Sequence, residues 1–253
     1  MNIATTSVPA ADRLDQAAPP TRRVIDAPTR VFHWLFALCF VGAYLTADGE
    51  RLRLLHVVLG YTLAGLLAFR VLYGVLGPRQ ARLSTLWNKL GNAPFWLRSV
   101  KAAWFERPAQ GRPKAVNWRQ GQNLAMATAV VAMLLLVLPL TLSGYAVFHE
   151  WGGDWLIELL EEVHEAVGEL FLWVVLLHLG LILLMSLLRR KNQALPMLTG
   201  RVEGAGPDLA KRNHRWLALL LLVGVLSYWG WEWTQAPTPT AASATVEEQS
   251  ERD

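Results

Sequence analysis

The sequence predicts an all-α fold: an integral membrane helical bundle with a four-helix core and a fifth transmembrane helix. Three observations predict it. Five stretches are continuously apolar over about the 20 residues needed to cross the hydrocarbon core of a bilayer. Basic residues crowd into alternate connections between those stretches. Four of the six histidines lie within the stretches or at their ends.

Residues 1–22 are rich in Ala, Pro and Thr and lack an apolar core. They are expected to be disordered and to carry no cleavable signal, which leaves the first membrane helix to direct insertion. That helix is the run Val31–Ala47, short at 17 residues but able to extend inward past Arg30, whose stem can snorkel. It contains the only cysteine, Cys39, expected to be a small buried apolar residue. A single cysteine excludes a disulfide framework, a cysteine-based zinc site and a covalently attached c-type haem. The second run is Leu54–Leu76. The long connection Pro78–Arg119 mixes Trp87, Phe95, Trp96, Trp104 and Phe105 with basic residues, a composition suited to an amphipathic segment on the inner membrane surface. Leu124–Phe148, Val163–Leu188 and Trp216–Trp233 are the remaining runs. Residues 23–201 are expected to form the core, 202–234 the connecting loop and fifth helix, and 235–253 a disordered external tail.

Lys and Arg number four in residues 1–30, nine in Pro78–Arg119 and seven in Arg189–Arg215, against two in Asp48–Arg53 and none in His149–Glu162. Cytoplasmic loops concentrate these residues, so the N-terminus is expected in the cytoplasm and the C-terminus outside. The same effect accounts for the basic loops without any role in nucleic-acid binding. The outer face is acidic, with Glu150, Asp154, Glu158, Glu161 and Glu162 before the fourth helix. This is either a solvated surface or a docking face for a basic partner.

An ionisable residue inside a membrane span is a functional candidate by default. His164 and His178 are 14 residues apart on the fourth helix, close to four turns, so they share a face about 21 Å apart along the axis. Counting from the outer end of each span, His56 and His164 lie near the outer surface. His33 and His178 lie roughly 22 and 24 Å deep. Depth therefore pairs His56 with His164 and His33 with His178. Zinc normally takes four ligands, whereas haem iron takes two axial ones, which two facing helices can supply. In His56-Val-Val-Leu-Gly60 and His164-Glu-Ala-Val-Gly168 a glycine follows one turn after the histidine on the same face, opening room for a flat macrocycle. Small-residue helix packing is the plainer account of those glycines. Arg70, about 25 Å inward from Arg53, reaches the level of the inner pair and is a candidate partner for a haem propionate, or else snorkels to the interface. Arg51 and Arg53 stand in the same relation to the outer pair. His214, beside Arg212 and Arg215, reads as interfacial. His149 reads as a loop histidine, with a quinone pocket as its functional alternative.

Several motifs together resemble the bacterial cytochrome b561 family, which includes the b-type subunits of nickel-iron hydrogenases and formate dehydrogenases. They are Arg30-Val-Phe-His33-Trp34, His56-Val-Val-Leu-Gly60, Phe69-Arg70 leading to Gly77-Pro-Arg-Gln-Ala-Arg82, Glu162-Val-His164-Glu165, His178 and Met197-Leu-Thr-Gly-Arg201. The resemblance spans residues 24–201. It implies two non-covalent haems b held by histidines of the first, second and fourth helices, and electron exchange between membrane quinone and a partner protein. The chain departs from it in two places. Relatives often carry Gly-His-Asn-Pro entering the third helix, where this chain has Gln120-Gly-Gln-Asn123, and the fifth helix is additional to the core.

The resulting expectation is a dihaem cytochrome of the bacterial inner membrane. It passes electrons between the quinone pool and a periplasmic redox protein such as a c-type cytochrome, in the manner of a quinol:cytochrome c oxidoreductase. The alternatives are an anchor subunit of a hydrogenase- or dehydrogenase-type complex, an intramembrane metal or proton transporter, and a membrane metalloenzyme. The last lacks the second histidine of an H-E-x-x-H motif.

Overall fold

A computed structural model of the chain describes residues 20–105 and 116–235, and most of both termini expected to be disordered lies outside them. Within them five helices are long and apolar enough to cross a membrane. The first, α1 (Ala27–Leu45), starts at Asp26, whose carboxylate accepts the Thr29 N–H at 3.3 Å, with Pro28 in the first turn. A side-chain cap followed by proline favours a helix start, because the first N–H groups have no partner within the helix. One 3₁₀ turn, Glu50–Leu52, reverses the chain into α2 (Arg53–Leu76).

The connection after α2 holds two short helices, α3 (Ser84–Gly91) and α4 (Ala93–Phe105), which pack against the next span. Trp87, Phe95 and Trp104 are exposed on them, as suits an amphipathic layer. The span they support, α5 (Trp118–Phe148), leads through residues 149–153 to α6 (Asp154–Arg189). A short α7 (Leu195–Thr199) precedes the last span, α8 (Arg215–Gln235).

The spans are staggered around a narrow core. Helix α5 runs along α6, α2 lies between α1 and α5, and α8 leans on α1 and α2. Phe32, Phe40, Leu63, Leu66, Val137 and Phe171 are buried at the centre. Leucines on the opposite faces are exposed, as lipid-facing residues must be. Gly42 permits the close approach of α1 and α2, since a Cβ there would stand 2.7 Å from Leu59 Cδ1.

At the end carrying most of the Lys and Arg, here the basic end, two strands tie the chain together. Residues Thr21–Arg23 (β1) pair antiparallel with Arg201–Glu203 (β2). The Val24 and Ile25 N–H groups donate to the Gly200 carbonyl at 2.8 and 3.2 Å. Gly200 has φ +76°, and a Cβ there would meet the Ile25 carbonyl oxygen at 2.7 Å, so both backbone and space call for glycine.

Three expected boundaries move. Thr21 and Arg22, expected to be disordered, belong to β1, because their backbone groups find partners in a segment 180 residues away. The fourth membrane helix starts at Asp154, ahead of the apolar run that begins at Val163. Leu, Ile and Glu are good helix formers, and Asp154 in the first turn complements the helix dipole. Glu158, Glu161 and Glu162 are therefore helical, and the connection itself is short. The expected single amphipathic segment is two helices.

Candidate functional site

The sequence places His56 and His164 on facing helices, and the fold brings their rings together, with centroids 5.9 Å apart. They face a cavity of about 730 Å³ between α1, α2, α5 and α6, at the end opposite the strands, here the acidic end. Each ring is oriented by a backbone carbonyl. His56 Nδ1 donates to Ala43 O at 2.8 Å, and His164 Nδ1 donates to Leu140 O at 2.9 Å. Because a carbonyl only accepts, each Nδ1 must carry the proton, and each Nε2 is left with a free lone pair. A ring nitrogen donating to a carbonyl while the other stays free is the usual arrangement of a metal-binding imidazole.

Both carbonyl partners have local causes. Helix α1 ends at Leu45, so Ala43 O loses its regular helical partner and accepts from His56 as well as from the Thr46 N–H at 3.2 Å and hydroxyl at 3.1 Å. In α5, Gly144 clears the space beside Leu140. A Cβ at Gly144 would sit 2.7 Å from His164 Cε1 and 3.0 Å from Nδ1, so only glycine lets the ring lie against the helix. Ser143 Oγ, 3.3 Å from His164 Nδ1, also lies in this turn.

Gly60 and Gly168 line the same cavity. A Cβ at Gly60 would meet nothing within 4 Å, and one at Gly168 would meet only Leu140 Cδ1 at 3.7 Å. Their lack of side chains thus enlarges the open space rather than admitting a neighbouring helix, which removes close helix packing as their explanation. Arg53 lines the cavity and stacks over Phe148, 5.7 Å from its ring centroid, leaving its guanidinium at the site.

His33 and His178 lie on α1 and α6 toward the basic end. The Nδ1 atoms of both are buried and make no hydrogen bond among the described residues. A buried polar atom without a partner costs free energy comparable to a lost hydrogen bond. Between the two levels, Phe171 is fully buried and packs on Phe40 and Phe36, with centroids 4.5 and 6.2 Å away. It is seven residues from His164 and seven from His178 on α6, so a buried aromatic layer lies midway between those two histidines.

Arg70 turns toward the basic end, where its Nη1 donates to Ala81 O at 2.9 Å. One of its donors is therefore spent on the turn after α2. Nearby, the Tyr73 hydroxyl donates to the buried Asp26 carboxylate at 2.6 Å. His149 is the residue that caps α5. Its Nε2 shares a 3.1 Å hydrogen bond with the Tyr61 hydroxyl, tying α5 to α2. Arg51 does not line the cavity. His214 stands just before α8.

Gly144, Ala43, Leu140 and Ser143 were not singled out in the sequence. The small pair Ser143-Gly144, directly after a run of large apolar residues, was the available signal. Carbonyl partners leave no mark in a sequence at all.

The sequence motifs that are far apart also meet in space. Arg30 donates to Leu198 O at 2.6 Å and Trp34 to Met197 O at 3.1 Å, so the segment Arg30–Trp34 holds the segment Met197–Arg201. Comparisons with curated proteins and with solved structures give no match. The family model described as prokaryotic cytochrome b561 matches residues 24–200, from just before α1 to the glycine that β1 leans on. Four membrane-length helices lie over that range, as suits the family's four-helix membrane bundle. The chain therefore belongs to the prokaryotic cytochrome b561 family of haem-binding membrane cytochromes.

Proposed function

We propose that the chain holds two haems b and carries electrons through the inner membrane between the quinone pool and a periplasmic redox protein. The geometry at the acidic end carries the reading. A nitrogen–metal bond to imidazole is about 2.0–2.1 Å, so two imidazoles on opposite sides of one ion have ring centroids about 6 Å apart. His56 and His164 stand 5.9 Å apart, each with Nδ1 engaged and Nε2 free. The cavity beside them is lined by glycines where a flat ring needs space. The residues present fit a haem.

Haem b bound by two histidines supplies a one-electron couple whose iron has no open position for a small ligand. The chain does the rest. Ala43 O and Leu140 O hold the imidazoles in the ligating tautomer. Gly60 and Gly168 would leave room for the macrocycle, and Arg53 would be the cation available to a propionate. His33 and His178 are the ligands of a second haem toward the basic end, and Arg70 is the cation available at that level. The aromatic layer at Phe171 excludes water between the two sites and sets their separation. The basic end faces the cytoplasm, because it gathers most of the Lys and Arg. The acidic end then faces the periplasm, where a c-type cytochrome of basic surface is the fitting partner.

A reduced-minus-oxidised spectrum with haem quantified per chain tests this. About two haems per chain, extractable by acid-acetone, are expected. His56→Ala and His164→Ala should each remove the same haem, and His33→Ala and His178→Ala the other. Protein that stays colourless with ample haem supplied would favour a transporter. Coupling of His33 with His164 would overturn the pairing.

A further inference from the structure

The connection from β2 to α8 lies outside the residues matched by the family, yet it builds a second cavity. This one holds about 400 Å³ at the basic end, between the 3₁₀ turn that follows α2 (Arg79–Ala81) and residues 209–214. Arg79, Gln80, Lys211, Arg212 and His214 line it together with Leu209, and no carboxylate does. Among the described residues none of these polar side chains makes a hydrogen bond within the chain, and none of the cations makes an ion pair. The neighbouring carboxylate is taken elsewhere: Asp208 accepts the Arg23 N–H at 2.6 Å and pairs with its guanidinium at 4.0 Å.

The backbone that carries residues 209–214 is fixed, while the Arg79, Lys211 and Arg212 side chains stay exposed. Leu209 and Ala210 N–H donate to Arg23 O at 2.9 and 3.2 Å, and Ala27 N–H donates to the Asn213 side chain at 2.9 Å. His214 has a left-handed backbone, φ +43°, and its carbonyl accepts from the first turn of α8. Three cations brought to one cavity with no carboxylate among its lining residues favour an anion there.

The cavity also sits at a particular level. It lies where α2 ends, at Leu76, and where α8 begins, at Arg215. Leu76 and Trp216 are exposed beside it. An exposed tryptophan at a span's end marks the headgroup region of a bilayer. Basic pockets between spans on the cytoplasmic side suit phosphate headgroups.

We propose that this cavity binds the phosphodiester headgroup of one anionic phospholipid, with the acyl chains running down between α2 and α8. Arg79, Lys211 and Arg212 neutralise the phosphate, and Gln80 and His214 hydrogen-bond its oxygens. The lipid fastens the fifth helix to the bundle at the end where the fold itself leaves cations facing each other.

Native mass spectrometry of the full chain released from detergent tests the idea, with phosphatidylglycerol, phosphatidylcholine and inorganic phosphate as probes. One phosphatidylglycerol should stay bound per chain, phosphatidylcholine should not, and millimolar inorganic phosphate should not displace it. Each cation near an anionic headgroup contributes a factor of about five to affinity, so Arg79→Gln with Lys211→Gln and Arg212→Gln should weaken retention on the order of a hundredfold. Arg82→Gln with Lys89→Gln, at the same end but off the cavity, should leave it unchanged. Circular dichroism confirms that the variants fold, and the result does not depend on haem content. Equal retention of both lipids, displacement by inorganic phosphate, an equal loss in the control variant, or full retention in the triple variant would each overturn the proposal. So would a triple variant that keeps its lipid but loses an acidic protein partner.

Discussion

His56 and His164 could be found in the sequence because an ionisable side chain stands out in an apolar run, and because glycine recurs one turn after each. What holds them was hidden. Their orientation depends on backbone carbonyls, and on Gly144, whose helix carries no candidate ligand. Gly144→Ala therefore probes the site without touching a ligand. The added methyl would sit 2.7 Å from His164 Cε1 and must push the ring off Leu140 O. Losing such an outer-shell contact typically weakens metal retention 10- to 100-fold. The expected outcome is partial loss of the acidic-end haem with the other low-spin signal intact, read by electron paramagnetic resonance and haem titration. An unchanged spectrum would mean that the ring has another place to go.

At the scale of helices, all five spans were legible, since about 20 apolar residues in a row have few other uses. Their ends were less so. Hydropathy marks where the chain leaves the hydrocarbon, whereas a helix continues until its hydrogen bonding fails. Helix α6 shows the difference: its 36 residues measure about 54 Å, against a hydrocarbon core of about 30 Å. Its first turns thus stand clear of the membrane and carry Asp154, Glu158, Glu161 and Glu162. Helix α1 likewise extends inward past Arg30, as the short apolar run allows, and Asp26 and Pro28 set its start. Three crossings, α5, α6 and α8, separate α4 from the end of α8 and put them on opposite sides. Cysteines at Lys101 and Thr234, in a Cys39→Ser background, should label from the cytoplasmic and periplasmic sides respectively. Labelling of both from one side would eliminate an odd number of crossings between them.

Over the whole molecule, charge is sorted by end. Five carboxylates and no Lys or Arg occupy residues 149–162, beside the mouth of the larger cavity, while the opposite end is basic. Opposite charge steers association and salt weakens it, over a screening length of about 10 Å at 0.1 M. Electron transfer to a basic c-type cytochrome, followed by stopped flow, should slow as salt rises. Glu150→Lys with Asp154→Lys and Glu158→Lys should slow it at least tenfold at low salt, with both haem spectra unchanged. A rate indifferent to both would move docking to the basic end and favour the anchor-subunit alternative. The two ends were legible as charge counts. The joining of Arg30–Trp34 to Met197–Arg201 was not, because a contact across the whole chain has no local signature.

The pairing of β1 with β2 also orders events during synthesis. Thr21 is among the earliest described residues made, yet its partner Glu203 is not translated until α6 is complete. At about 5–20 residues per second, roughly ten to forty seconds separate the two. For most of that interval α1 and α2 stand in the bilayer before α6, which carries His164 and His178, is complete, and the strand pair cannot yet close the bundle. Closing the strand pair is thus a late step, and it leaves the nascent chain open for cofactor delivery until its fourth span has arrived.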